Sequence, residues 1–446
     1  MLTLIRGAMI ITMSGQFPEP KIMDILIAGD EIVGLGEGLA SQGAEMIDGA
    51  GHILMPGLVN AHMHTWQSAC RGIAADLDLM AYLQKMHLGI APRYTPEDIH
   101  IGTLAGALNQ VSSGTTTLGD WCHNNRTSEH TDAAIDALRS AGIRSVFLPG
   151  AVRVTDPENP VAPTETGHSH EEISRLVKGP FAQRDQLLTL GLSVFGPQYA
   201  PLDVAMAEFR MAAEFDLIIS MHSSGGPTRT PDGWDRLGEA GLLGPHVNIV
   251  HGNALSDELL GRLTEKGVSF TITPEVEMNA GHGHPITGRL IRLGAMPSLG
   301  VDIESGIPGD MFTVMRMALA HQRMLDHDSR RANPDRAHRS LTQRDALAWG
   351  TIGGARALGL EGSVGSLETG KKADLIMIDT RSLGLWPMHD PYATALQAGA
   401  ASVTQVMIAG QWKKRSGQLL GGDARIVLDR LAASALRLLP PPALAS

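Results

Sequence analysis

"MPGLVNAHMH", Met55 to His64, is the stretch on which the reading of this chain turns. A short apolar run ends in two histidines one residue apart. On an extended strand, residues i and i+2 project to the same side, about 6.5–7 Å apart. His62 and His64 therefore point together from one strand end and can reach a single ion. Taken alone, H-x-H is equally compatible with two partly exposed histidines. What decides between the two is whether other strands end in the same chemistry.

Seven more apolar segments follow, with helical stretches between them. They are "GTTTLGD" (114–120), "IRSVFLPG" (143–150), "LTLGLSVFG" (188–196) and "DLIISMH" (216–222). Then come "VNIVHG" (247–252), "VSFTITPE" (268–275) and "AMPSLGVD" (295–302). "SEHTDAAIDALRSAG" (128–142) and "LDVAMAEFRMAAEF" (202–215) have the apolar spacing of helices. Eight strands alternating with helices favour a (β/α)8 barrel over an open doubly wound sheet. In such a barrel the C-terminal strand ends line the mouth where chemistry is done. Strand one ends in His62 and His64, strand two in Asp120, and strand five in His222. Strand six ends in His251, strand seven in Glu275 and strand eight in Asp302. Packing alone gives no reason for that clustering. Three imidazoles and a carboxylate suit Zn²⁺ or Fe²⁺ with one position left for water.

The flanks have another rhythm. "LTLIRGAMIITM" (2–13), "DILIAGDEIVGLG" (24–36) and "AEMIDGAGHILMPG" (44–57) read as short strands joined by Gly turns. The texture returns in "GSLETGKKADLIMID" (365–379) and "VTQVMIAGQWKKRSGQLL" (403–420). The expected organisation is α/β: residues 56–360 form the barrel, and 1–55 with 361–422 form a small β-sandwich. Residues 423–446 form a C-terminal helix and tail.

With 446 residues, 43% of them hydrophobic, the chain is long enough for a large core. A formal net charge of −11 argues against nucleic acid as a partner, since phosphate binding needs clustered Lys and Arg. Only Cys70 and Cys122 occur, so no disulfide framework exists and a reducing, cytoplasmic setting is expected. The N-terminus reads as a strand rather than a signal peptide, and no run of 18 apolar residues suggests a membrane span. The expected partner is a small-molecule substrate, and self-association into a homo-oligomer is left open.

"MPGLVNAHMH", the lone histidine of strand five, "VHG" and "SLGVD" together resemble the amidohydrolase superfamily. The nearest branch is that of s-triazine chlorohydrolases, cytosine and guanine deaminases, and S-adenosylhomocysteine-type deaminases. "HMHTWQSACRG" (62–72) is similar to that branch's segment after strand one, and "GSLETGKKADLIMID" to its return to the sandwich. The resemblance implies one divalent ion, Zn²⁺ ahead of Fe²⁺, held by His62, His64, His222 and Asp302. No Lys ends strand four, in "LSVFGPQ" (192–198), so a carbamate-bridged pair of ions is not expected. Such an ion acidifies bound water toward pKa ~7. The resemblance makes Asp302 the group that takes the water's proton and His251 the group that stabilises charge on the substrate. His251 could alternatively be a structural partner of a backbone carbonyl.

Substrate contacts are expected from Trp66, Gln67, His123 and Glu275. The segment "ADLDLMAYLQKMHLG" (75–89) reads as an amphipathic helix with Leu77, Met80, Leu83 and Met86 on one face; in the family it shapes the pocket. One departure stands out. Deaminases of this branch carry Glu three residues after the strand-five histidine, and here that position is Gly225, in "ISMHSSGGP" (219–227). Candidates to replace it are Glu275, Glu277, His282, His284, Asp120, His123 and Glu304, with Glu275 favoured because it follows Pro274 at the expected strand end. The function expected is metal-dependent hydrolysis of a C–N bond in a small cyclic or aromatic nitrogenous compound, by an amidase, ring-amidase or aminohydrolase reaction. Two alternatives are hydrolytic dehalogenation of a heteroaromatic ring and a non-catalytic relative that keeps the metal and binds a small molecule.

Overall fold

The computed structural model describes residues 2–40, 42–151, 163–334, 340–421 and 424–439. Eight parallel strands run in sequence order around one sheet. They are β1 (Leu58–Met63), β2 (Thr115–Cys122), β3 (Arg144–Pro149), β4 (Leu188–Val194), β5 (Ile218–Ser223), β6 (Val247–His251), β7 (Ser269–Ile272) and β8 (Ser298–Leu299). All eight segments expected from the sequence are present, and β1, β2, β3 and β6 are buried along their whole length. That is the pattern of strands covered on both faces.

The ring closes between β8 and β1. Asp302 N–H donates to the His62 carbonyl at 2.9 Å, and His64 N–H donates to the Asp302 carbonyl at 2.8 Å. Only glycine allows that approach at position 300, because a Cβ there would stand 2.6 Å from the His62 oxygen. The closure sets Asp302 directly beside the two histidines of β1. The expected helices form at Ser128–Ala141 and Leu202–Phe215.

The chain ends build a second, mixed sheet of nine strands. Its N-terminal members lie between Leu2 and Pro56, and its C-terminal members are Leu375–Asp379, Val403–Ile408, Gln411–Arg415 and Gln418–Leu419. Leu375–Asp379 pairs antiparallel with His52–Pro56, which joins the two halves. Ile5, Ile25, Ile27, Leu54, Leu375 and Met407 form part of its own core. A buried ion pair clamps it to the barrel. Arg144, at the start of β3, donates to both Asp374 oxygens at 2.8 and 3.0 Å, and Asp374 Oδ1 also accepts from Ala409 N–H at 2.8 Å.

Helix Ala424–Leu438 packs on helix Pro96–Ser112, with Ser434 Oγ donating to Asp98 Oδ1 at 2.6 Å. Among the described residues no helix is long and apolar enough to cross a membrane.

Candidate active site

The two histidines of β1 leave on one side, with ring centroids 4.7 Å apart. His62 Nε2 lies 3.2 Å from His222 Nε2 and 3.3 Å from Asp302 Oδ1, while His64 Nε2 lies 3.4 Å from that oxygen. One donor atom from each of His62, His64, His222 and Asp302 lies within 4.8 Å of the others. Tetrahedral ligands about 2.0–2.1 Å from a zinc ion stand about 3.3–3.4 Å from one another. The short spacings have the size such an ion imposes, so this donor set fits one divalent ion.

The electrostatics agree with the geometry. His64 Nδ1–H donates to the Trp121 carbonyl at 2.6 Å, which leaves the Nε2 lone pair facing the cluster. Burial lowers the pKa of His62 and His222 and pushes that of His64 down to about 3, so all three imidazoles are neutral, as ligands must be. Burial works against an ionised Asp302, but the His62 hydrogen bond and the nearby imidazoles outweigh it and hold the carboxyl below its ordinary range. Asp302 and His251 both have φ of +71°. Non-glycine residues enter that region at a cost of about 1–3 kcal/mol, and such strain gathers at functional sites.

His251 ends β6 and is oriented from behind. Its Nδ1–H faces Thr273 Oγ1 at 3.1 Å and Glu277 Oε1 at 3.3 Å, and its Nε2 stands 4.0 Å from Asp302 Oδ2. Burial alone would lower its pKa, but the Glu277 bond and the charges of Asp302 and Glu277 raise it.

Here the sequence expectation needs correcting. β7 stops at Ile272, and Pro274 opens a helix, Pro274–Asn279. Glu275 is therefore not at a strand end. Side chains two apart on a helix diverge, so Glu275 and Glu277 do not share a side. Glu277 is fully buried beneath His251, and its Oε1 also accepts from Thr273 N–H at 2.9 Å. Glu275 lies outside the cavity lining; burial and the charge of Asp310 raise its pKa. Proline at the first helical position, with acidic residues in the first turn, was the signal for a helix start.

Trp66 and Gln67 sit on a buried 3₁₀ turn, Thr65–Cys70, behind the cavity wall rather than in it. Gln67 accepts from Ser305 Oγ and donates to Tyr82 Oη, each at 2.6 Å. Trp66 packs edge-on against Tyr94 and His123, with centroids 5.0 and 5.4 Å apart. His123 does line the cavity, stacked on His87 at 4.5 Å.

The remaining candidates separate. Asp120 Oδ1 accepts from Thr65 Oγ1 at 2.6 Å and so anchors the turn after β1; burial raises its pKa to about 6. Glu304 accepts from Ser68 at 2.7 Å and from Asn109 at 2.7 Å, outside the cavity. His284 contacts His321 at 2.9 Å. His282 lines the cavity with its ring 4.6 Å from that of His251.

The cavity above the cluster measures about 460 Å³. Leu77, Leu79, Met80, Tyr82, Leu83 and His87 come to it from the segment after β1. That segment is a short helix, Leu79–Tyr82, followed by a π-helical stretch, Leu83–Ile90. Only Met86 of the four expected apolar positions is fully buried; Leu77, Met80 and Leu83 face the cavity. Gly225 also lines it, and a Cβ at that position would meet nothing within 4 Å. Tyr199 Oη and Ser224 Oγ, 2.7 Å apart, are its polar neighbours on that wall.

Comparison with known proteins agrees with this arrangement. The chain is 30% identical over 448 residues to 5-methylthioadenosine/S-adenosylhomocysteine deaminase of Pelotomaculum thermopropionicum, covering 98% of each chain. It is 28% identical over 430 residues to 8-oxoguanine deaminase of Pseudomonas aeruginosa, covering 91% of this chain and 92% of that one. The zinc-complexed crystal structure of an atrazine chlorohydrolase from Arthrobacter aurescens TC1 superimposes with a TM-score of 0.85 at 22% identity, covering 97% of this chain and 100% of that one. A sequence model of the amidohydrolase family matches residues 53–413. With the eight-stranded barrel, the His62, His64, His222 and Asp302 donor set and His251 on the adjoining strand, this chain belongs to the amidohydrolase family.

Proposed function

We propose that this chain is a zinc-dependent hydrolase that cleaves a C–N bond in a small nitrogenous heterocycle. The observation that carries the reading is the convergence of His62, His64, His222 and Asp302 on one point, with His64, His222, Asp302 and His251 lining one cavity. When bound, the ion supplies water acidic enough to act as a nucleophile near neutral pH. Asp302, ionised and itself one of the four donors, would take a proton from the attacking water and return it to the leaving nitrogen. His251, its Nδ1–H held by Glu277 and Thr273 and its pKa raised by the charges of Glu277 and Asp302, acts as the imidazolium and donates from Nε2 to the substrate atom on which charge develops. His123 contacts the substrate from the opposite wall. Trp66 and Gln67 act through the wall they support.

The relatives named as deaminases of adenosine derivatives and of 8-oxoguanine support an aminohydrolase reaction on a purine-like ring. Gly225 favours a second reading, displacement of a better leaving group such as halide. Among the described residues no carboxylate stands on that wall to protonate an amine. The cytoplasm is the setting in this reading, supported by two buried, unbridged cysteines. Self-association is supported by exposed Leu383, Trp386, Ile426, Leu428 and Leu436, and light scattering tests it.

The decisive experiment gives zinc-loaded protein a panel of amino-, oxo- and halo-substituted purines, pyrimidines and triazines, reading ammonia, ring-opened product and halide. Ammonia or ring opening is expected, and Asp302→Asn should lose both turnover and zinc. Full activity in that variant, or turnover of nothing in the panel, refutes the reading.

A further inference from the structure

The cavity has two zones. Its floor is imidazole and indole, from His64, Trp121, His222 and His251. Its rim is aliphatic: Leu77, Leu79, Met80 and Leu83 from the segment after β1, and Ile303 and Ile307 from the segment after β8. Two of these rim side chains stand in water, Met80 at 72% exposure and Leu83 at 37%. Large apolar groups held open at the mouth of a deep site are surface that a bound molecule can cover.

Charge is as informative as apolarity. Among the described residues that line the cavity there is no Lys, Arg or Glu, and Asp302 is the sole carboxylate. Burial keeps His87 and His282 neutral at pH 7, each with a pKa pushed down to about 4. A carboxylate or phosphate tail placed along the rim would lose its hydration and meet no cation among the described lining residues. Among the described lining residues an ammonium tail would find only the carboxylate of Asp302, which the metal-binding cluster already engages. The volume of about 460 Å³ lies in the range of about 300–1,000 Å³ typical of sites that bury a substituted ligand.

We propose that the substrate is a net-neutral heterocycle bearing a lipophilic substituent, with the ring on the imidazole floor and the substituent against Leu77, Met80, Leu83, Ile303 and Ile307. This specificity rests on the hydrolase reading of the same site and narrows it: charged side chains on the ring are excluded. Met80 and Leu83 are specificity residues that close over the substituent.

Calorimetric binding to zinc-loaded full-length protein tests this without requiring turnover. The probes are oxo-purines, oxo-pyrimidines and oxo-triazines carrying N-ethyl, N-propyl, N-butyl and N-pentyl groups, with carboxylate- and ammonium-ended chains of matched length. On the tightest-binding ring, each added methylene should strengthen binding about three- to fourfold until the rim is filled. A terminal carboxylate or ammonium should weaken binding at least tenfold. Met80→Asp and, separately, Leu83→Asp should flatten the methylene increment while zinc content stays constant. Equal binding of charged and alkyl chains, no increment with length, or no binding of any series overturns the proposal. Tight alkyl binding without turnover of any panel compound would instead refute the hydrolase reading and leave the specificity standing.

Discussion

Replacing Glu277 by Gln should slow the reaction by about 10- to 150-fold while leaving zinc content unchanged. Glu277 touches no metal-binding atom; its Oε1 lies 3.3 Å from His251 Nδ1. Two opposite charges at that spacing interact by roughly 5 kcal/mol at an effective dielectric constant of 20. Desolvation of both groups cancels much of this, and hydrogen bonds to charged partners contribute about 1.5–3 kcal/mol net. Raising the barrier by that amount gives the stated factor. Gln preserves the acceptor that Thr273 N–H reaches at 2.9 Å, so the helix start should survive. The assay is kcat/KM on the best panel substrate, with zinc measured by atomic emission on the same sample. Glu275→Gln is the control and should stay within about twofold, because Glu275 does not line the cavity. If Glu277→Gln keeps more than half the wild-type rate, or Glu275→Gln falls as far, the assignment of Glu277 behind His251 is wrong.

Three further outcomes are expected. Arg144→Met strands a buried Asp374 carboxylate and should cost about 3–5 kcal/mol in urea unfolding; a loss below about 1 kcal/mol would show that the clamp between the sheets is dispensable. Glu208 is 1% exposed, and burial raises its pKa from 4.5 to about 8, with backbone N–H groups of Phe195 and His168 opposing. The folded state therefore holds a proton that the unfolded chain releases, and stability falls as pH rises from about 4.5 to about 8. Glu208→Gln should remove that slope, so its stability relative to wild type should grow by about 3 kcal/mol between pH 5.5 and pH 8, and parallel urea curves would contradict the assignment. Gly225→Glu has room at its Cβ and no left-handed backbone to strain, so it should fold within about 0.5 kcal/mol of wild type and release ammonia faster from amino-heterocycles. An unchanged rate would show that proton transfer does not depend on this wall.

The metal-binding side chains were legible because a strand end is a local event. An apolar run that stops at His222 or at His62 and His64 marks where the polypeptide leaves the core, and the alternation of strands with helices implies that all such ends face one way. Glu277 was harder to see. Reading "TPEVEMN" as the end of a strand put Glu275 forward, although Pro274 already signalled a helix start. Trp66 and Gln67 were misplaced for a different reason. Their position after His64 suggested the mouth, but the 3₁₀ turn rotates them into the core, where Gln67 binds Tyr82 and Ser305. Neither residue carries a local mark of that rotation.

The sequence by itself determined the barrel, the sheet shared by both chain ends, the four-residue donor set that fits a metal ion, the histidine on the adjoining strand and the gap at Gly225. Periodicity and strand-end composition are enough for those, since each depends on residues close in the chain. The tertiary structure decided which carboxylate stands behind His251, which aromatic and aliphatic groups reach the cavity, and that no cation lines it among the described residues. Those facts depend on side-chain direction across elements as far apart in sequence as β1 and the helix after β7. Direction is set by packing and backbone twist, which no run of neighbouring residues encodes.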